Sequence, residues 1–477
     1  MKNIKILFLL LIVLIVGSCS LEEDPLGIIT PNQFFQNKTE IEQFIYGAYM
    51  PLNQYDFYGS SWGFNSEPIN DQVTCRENLR ITYTYQFDHD LGSPLLWRQI
   101  FCGVNSANVL INGINACPSL NDETKIPYIA EARFLRGLYY FHAVIAYGNV
   151  PLMLEDTPFT VAANMGRADT SLVWDQIVSD MTYAAANGVD NFGKVKSRGT
   201  KWSALALLSR VYLYRHQFSS AANAAKMVME SGKYGLMTNF GDVFLLKNEQ
   251  GIEVVFSIEF MTNVYTNSNS SSFTPRPDQE PSTTPGVVWN GWGSNRPGSR
   301  LPGMFEPGDL RKDQTVVDKN WLDANKPFVT NHWNFGPKFW NFDNPRGTSA
   351  KDCLVMRYAE VLLNYAEAEN EAHGPTNAYD ALNQVRTRAG LAPLGGLTKE
   401  QFREAVRHER SVELVGEFQR RWDLVRWGIW LSTMKSLPDF DLPTASRDNI
   451  TDRFLLLPVP DVEIAKNPNL LPNNLGY

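Results

Sequence analysis

ALALLSRVYLYRHQFSSAANAAKMVMESG, residues Ala204 to Gly232, decides how the rest of the chain is read. Apolar and small residues recur at helical spacing, stop at a short polar stretch around His216, and resume in a second amphipathic run. The spacing predicts helices over Thr200–Arg215 and Ser219–Ser231, with small residues on the facing sides. A helix pair of this kind leaves apolar surface uncovered, so it needs neighbours of the same type.

Such neighbours are present. The runs Ala359–Glu371 and Ala378–Arg388, turned by Gly374-Pro375, form a second pair. In length and placement of small residues both pairs resemble tetratricopeptide helix pairs. Upstream, Thr39–Tyr55 puts Ile41, Phe44, Ile45, Ala48 and Tyr49 on one stripe, with Thr39 placed to cap. Trp97–Ile114, Tyr128–Tyr147 and Leu172–Ala186 repeat the pattern, and Gly148-Asn149-Val150-Pro151 stops the second of these. Between the two pairs, roughly 241–350, only Glu253–Glu259 reads as a strand. Pairs this far apart are natural if they stack into one superhelix with the middle laid over it. The expectation is one mainly α domain over 19–477. Its helical scaffold spans about 38–232 and 352–432, with few short strands and a loop-rich insertion at about 241–350.

The 477 residues, 44% hydrophobic and 20% charged, supply ample core material. A formal net charge of -8 and the lack of a basic stripe argue against nucleic acid as a partner. At the amino terminus Lys2 and Lys5 precede the apolar run Ile6–Val16, about half the roughly 20 residues a membrane-spanning helix needs. This run is a signal-peptide core, and 1–18 are expected to be removed. Val16-Gly17-Ser18-Cys19 looks like a bacterial lipobox, in which small residues admit the peptidase and the Cys19 thiol takes diacylglycerol beside a palmitate-type chain. Cys75, Cys102, Cys117 and Cys353 show neither a CxxC pair nor metal-ligand spacing and read as small buried residues. An exported chain could join two of them, and sequence does not choose the pair.

Catalytic motifs fare poorly. Gly59-Ser60-Ser61-Trp62-Gly63 is a literal G-x-S-x-G, but a helix rather than a strand precedes it. No zinc spacing, Walker loop or dinucleotide glycine loop appears. In Arg403–Arg426 Glu and Arg alternate at helical spacing, for example Arg410 with Glu413 and Glu417 with Arg421, which predicts ion-paired helix faces. A glycosidase needs two carboxylates set across a cleft, and sequence alone does not locate them. A secreted glycoside hydrolase therefore stands as an alternative reading.

His408–Leu414 (HERSVEL) followed by Glu417–Gly428 (EFQRRWDLVRWG) is similar to the signature helices of the SusD/RagB family of Bacteroidetes surface lipoproteins. Two further stretches resemble that family: Phe454–Pro460 through Glu463-Ile464, Asn467–Leu470 and Gly476-Tyr477, and Glu131–Gly137 with Tyr139–Phe141 and Tyr147–Leu152. The acidic tether after Cys19, Ser20–Pro25, resembles the surface-export signal of such lipoproteins. The resemblance implies a SusD-like fold and a non-catalytic, lipid-anchored protein on the cell surface of the outer membrane. Its implied partners are a SusC-like TonB-dependent transporter and an oligosaccharide or polysaccharide, or a peptide in the RagB branch. No cofactor or metal is implied, and a structural calcium is left open.

The segment Val287–Ser299, VVWNGWGSNRPGS, sets two tryptophans where neither helix nor strand is expected. They are wedges under a loop or rings held out to a ligand. A sugar ring offers a flat C–H patch to an indole and hydroxyls to Asn, Asp or Arg. One such contact, removing about 100 Å² of apolar area, contributes roughly 2 to 3 kcal/mol before ordering costs. Trp289 and Trp292 are the first candidate platforms, then Trp62, Tyr85 and Trp333, with Asp71, Asn78, Arg80, Asn290 and Arg296 as polar partners. None of these is carried over from a matched family motif. Trp97, Trp202, Trp422 and Trp427 fall within amphipathic helices and read as core.

Overall fold

The computed structural model describes residues 34–75, 94–275, 291–317, 333–340 and 347–477. Helices dominate them. The first, α1 (Lys38–Tyr49), is capped by Asn37, whose side-chain oxygen accepts the Glu40 N–H at 3.1 Å. The cap thus lies two residues before Thr39. Next come α2 (Pro94–Ala116), α3 (Asp122–Tyr147), α4 (Thr170–Asn187), α5 (Lys201–Tyr214) and α6 (Phe218–Glu230). After the middle region follow α7 (Tyr358–His373), α8 (Tyr379–Arg388), α9 (Lys399–Glu413) and α10 (Arg420–Arg426).

These helices form one continuous stack. In it α2 packs on α3, α3 on α4, α4 on α5 and α5 on α6, and α6 packs directly against α7 across the long insertion. The two sequence-distant helix pairs are therefore spatial neighbours, as the matched small residues required. Ala221, Ala222, Ala224 and Ala225 on α6 are all buried, and Leu213, Ala221, Ala222 and Ala368 share one cluster. Thr200 and Ser203 cap α5 reciprocally, satisfying two otherwise unpaired N–H groups.

The middle region is more regular than its sequence suggests. Strand β2 (Val254–Ile258) pairs antiparallel with β6 (Cys353–Arg357), which leads straight into α7. Two smaller ladders join β1 (Val73–Cys75) to β3 (Asn295–Pro297) and β4 (Val316–Val317) to β5 (Asn334–Phe335). A buried short helix, Ser268–Phe273, packs against β3. Cys75, Cys117 and Cys353 are buried free thiols, whereas Cys102 is exposed on α2, contrary to the expectation of four buried cysteines. Among the described residues, no helix is long and apolar enough to cross a membrane.

Candidate ligand face and its ion-paired support

The β1–β3 ladder joins the segment after the first helix to the middle insertion, the two regions that hold the candidate ligand residues. Val73, Thr74 and Cys75 lie opposite Pro297, Arg296 and Asn295. The Thr74 hydroxyl donates to the Asp441 carbonyl at 3.0 Å, and Ser299 gives its N–H and hydroxyl to the Asp441 carboxylate at 2.8 and 2.6 Å. Asp71 accepts two bonds from Arg420 at 2.7 and 2.8 Å, a bidentate pair that orients it. Neither Arg420 nor Asp441 stood out in the sequence as part of this face. Their partners are hundreds of positions away, and no spacing rule reaches that far.

Trp292 is seated by its backbone. Its N–H donates to the Ser271 carbonyl at 2.7 Å, and the flanking Gly291 and Gly293 N–H groups donate to Pro275 and Thr274. The indole is partly buried and passes so close to Gly347 that a Cβ there would meet Cζ2 at 2.9 Å. Gly347 also has φ of 79°, so glycine serves both the turn and the ring. Arg296 and Trp333 are likewise partly buried, and the Lys312 ammonium sits 5.6 Å from the centre of the Trp333 ring. Of the other expected site residues, Cys19, Asn78, Arg80, Tyr85, Trp289 and Asn290 lie outside the described residues.

Trp62 belongs elsewhere. It is 2% exposed, stacked on Trp422 at 5.3 Å and 13°, and set edge-on to His142 at 4.6 Å. The expected platform is a core wedge, because its flat faces are already covered by Trp422 and its neighbours. Burial pushes His142 down to about 3, so at neutral pH it is uncharged and its Nε2 accepts the Tyr58 hydroxyl at 2.6 Å. Among the tryptophans read as core, Trp97 and Trp422 are buried. Trp202 and Trp427 are only partly so, and they donate their indole N–H groups to Asp190 and Glu367. Ser61 of the G-x-S-x-G match opens a short helix preceded by a helical turn, so it forms no nucleophile elbow.

The helices and the insertion are also joined by a buried cluster of charges. Arg357 donates to Glu253 at 2.8 Å, Glu413 at 2.5 Å and Glu417 at 2.7 and 2.9 Å. Arg311 holds Asp309 at 2.8 Å, Glu409 at 2.6 Å and Glu413 at 2.9 Å, while Arg388 closes on Glu413 from a third side. Burial alone would raise the Glu413 carboxyl, but Arg388, Arg357 and Arg311 hold it well below the usual carboxylate range. Within Arg403–Arg426 the helix-face pairs Arg407–Glu404 and Arg426–Asp423 form as expected, whereas Arg410, Glu413, Glu417 and Arg421 take other partners. Arg410 meets Asp423 at 3.1 Å, and Arg421 donates to the backbone carbonyls of Asn65 and Phe454. The helix itself breaks between Glu413 and Arg420, with Gly416 and Phe418 at φ of 70° and 62°.

Glu67 ties this break to the segment that leads into β1. Its carboxylate accepts the Phe418 N–H at 2.8 Å and Asn70 Nδ2 at 3.2 Å, while burial pushes it up to about 7. Gly63 lies close by. A Cβ at this position would meet Asn269 Oδ1 at 2.1 Å and Phe418 Cε1 at 2.9 Å, so only glycine lets the short helix Ser268–Phe273 approach. Among the described residues no group of His, Cys, Asp and Glu could hold a metal ion.

A sequence model of the SusD family matches residues 310–477, and a second, described as "Starch-binding associating with outer membrane", matches 21–213. The chain belongs to the SusD family. SusD-like protein P25 of Formosa agariphila is 28% identical over 99% of this chain and 100% of its own. Surface glycan-binding protein A from Bacteroides fluxus superposes with a TM-score of 0.78 at 25% identity, covering 92% of this chain and 100% of that one. A laminarin-binding SusD-like protein shares the fold, with a TM-score of 0.77 at 24% identity over 93% of this chain and 100% of that one. The mostly helical architecture expected from the helix pairs, and the SusD-like fold implied by the family resemblance, are thus both found, with only short strands among the described residues.

Proposed function

We propose that this SusD-family chain binds glycan on the face organised by the β1–β3 ladder and passes it, uncleaved, to a SusC-like TonB-dependent transporter. The observation that carries the reading is the likeness over nearly the whole chain to a surface glycan-binding protein. The seated Trp292, with Arg296 and the Arg420-oriented Asp71 beside the same ladder, supplies the mixed apolar and polar chemistry a sugar ring needs. Trp289 and Asn290 precede it directly in sequence, and Asn78, Arg80 and Tyr85 follow β1. Two or three stacking contacts suffice for capture, since millimolar affinity requires only about 4 kcal/mol. Anchoring through Cys19 would hold the chain at the outer membrane, the location given in the description of its second matching family model.

The test is calorimetric titration of the lipid-free mature chain against neutral polysaccharides and oligopeptides. Saturable glycan binding, weakened about tenfold or more in Trp292→Ala and further in the double variant with Trp289→Ala, is the expected result. Binding of peptide alone would assign the RagB-type role instead. Release of reducing sugar over time would replace capture by hydrolysis.

A further inference from the structure

On the inner side of the short helix Ser268–Phe273 lies a cavity of about 70 Å³. Ser271 on this helix receives the Trp292 N–H, while the preceding residue, Ser270, lines the cavity. Much of the wall is aromatic, with Phe273 and Phe339 stacked at 4.6 Å and Phe418 completing it. Two polar groups are poorly served there. Ser270 is 7% exposed, yet its hydroxyl has no hydrogen-bond partner. Lys351 gives one hydrogen bond, to the Lys338 carbonyl at 2.6 Å, and among the described residues it forms no ion pair. An ammonium has three N–H donors, and an enclosed one is ordinarily matched by a carboxylate.

The acids nearby do not supply that match. Glu417 is held by Arg357 at 2.7 Å and Lys338 at 2.6 Å. Burial pushes Asp352 up to about 8, so at neutral pH it is mostly uncharged, and it accepts the Phe260 N–H. Glu249 attracts Lys351 from a distance, but its carboxylate is occupied by the Asp352 N–H at 2.7 Å. Burial lowers Lys351 to about 8, which leaves it largely protonated at pH 7. One unmatched positive charge, one unpaired hydroxyl and flat apolar walls suit a planar, singly charged group.

We propose that this cavity is an anion subsite that takes the carboxylate of a uronic acid residue, with Lys351 as its charge partner and Ser270 as a hydroxyl donor. The assignment rests on the glycan-binding reading and gives it a substrate class, acidic glycans.

The experiment compares a glucuronate-containing oligosaccharide with its neutral counterpart by calorimetry, using the whole chain without its leader. The acidic ligand is expected to bind about tenfold tighter. Lys351→Met should erase that preference and leave the neutral ligand unchanged, whereas Lys351→Arg should keep most of it. Ser270→Ala, which leaves the charge in place, should weaken the acidic ligand alone by severalfold, and it serves as the main variant if Lys351→Met does not fold. Equal binding of both ligands by the wild type, a preference that survives in Lys351→Met, or an undiminished preference in Ser270→Ala overturns the subsite and leaves glycan capture standing. If neither ligand binds, both readings fall.

Discussion

Leu363 in α7 and Glu413 at the end of α9 are equally inaccessible, each at 0% exposure, but they are held by opposite means. Leu363 is one of many apolar side chains in the helix stack, where each neighbour contributes a little and no single contact is indispensable. Glu413 is surrounded by Arg311, Arg357 and Arg388, and the burial of each of these charges depends on the others. The stack therefore tolerates local loss. The junction does not.

The sharpest way to break this contrast is Glu413→Ala. It leaves three arginines short of a buried partner, and a loss of about 3 to 5 kcal/mol in urea unfolding is expected. A loss below about 1 kcal/mol would mean that water or the remaining acids already neutralise them. Leu363→Ala should cost about 3 kcal/mol through lost transfer energy and a residual cavity. It should leave glycan affinity unchanged in a calorimetric titration. Glu67→Gln tests the bridge between the two regions through pH. An unfolded glutamate titrates near 4.5 and the folded one at about 7, so the native state holds an extra proton in between. The stability contributed by this group is full below 4.5 and is lost as pH rises through 7. The variant should therefore gain on the wild type between pH 5 and pH 8, by up to about 3 kcal/mol. A difference that does not change with pH would show that Glu67 is ionised in both states. The smallest effect is expected from Asn37→Ala, which removes the cap of α1 at a cost of about 1 kcal/mol by thermal melting.

The same contrast explains what the sequence made legible. The helix pairs announce themselves through local periodicity, and Gly374-Pro375 or Gly148 mark their ends, because a helix satisfies its own backbone and records its buried face every three to four residues. Among the charges of Arg403–Arg426, Arg407 and Arg426 pair with Glu404 and Asp423 at that spacing, yet Arg410, Glu413 and Arg421 find Asp423 on the next helix, Arg311 and Arg357, and backbone carbonyls on other elements. Local spacing names the residues but not their mates. Trp62 misleads for a related reason. It sits among glycine, serine and asparagine, and the indole that covers it, Trp422, lies 5.3 Å away in space but at the far end of the chain. Trp292 was legible as a residue needing an explanation, whereas its seat on Ser271 and Gly347 was not.

Gly63 has one more consequence. With no space for a methyl group between it and Asn269, a Gly63→Ala exchange works like a shim driven behind a panel. The short helix it displaces carries the Ser271 carbonyl that anchors Trp292 and the Ser270 hydroxyl on its other side. A change in the interior would thus detune the surface while every ligand-contacting side chain kept its identity.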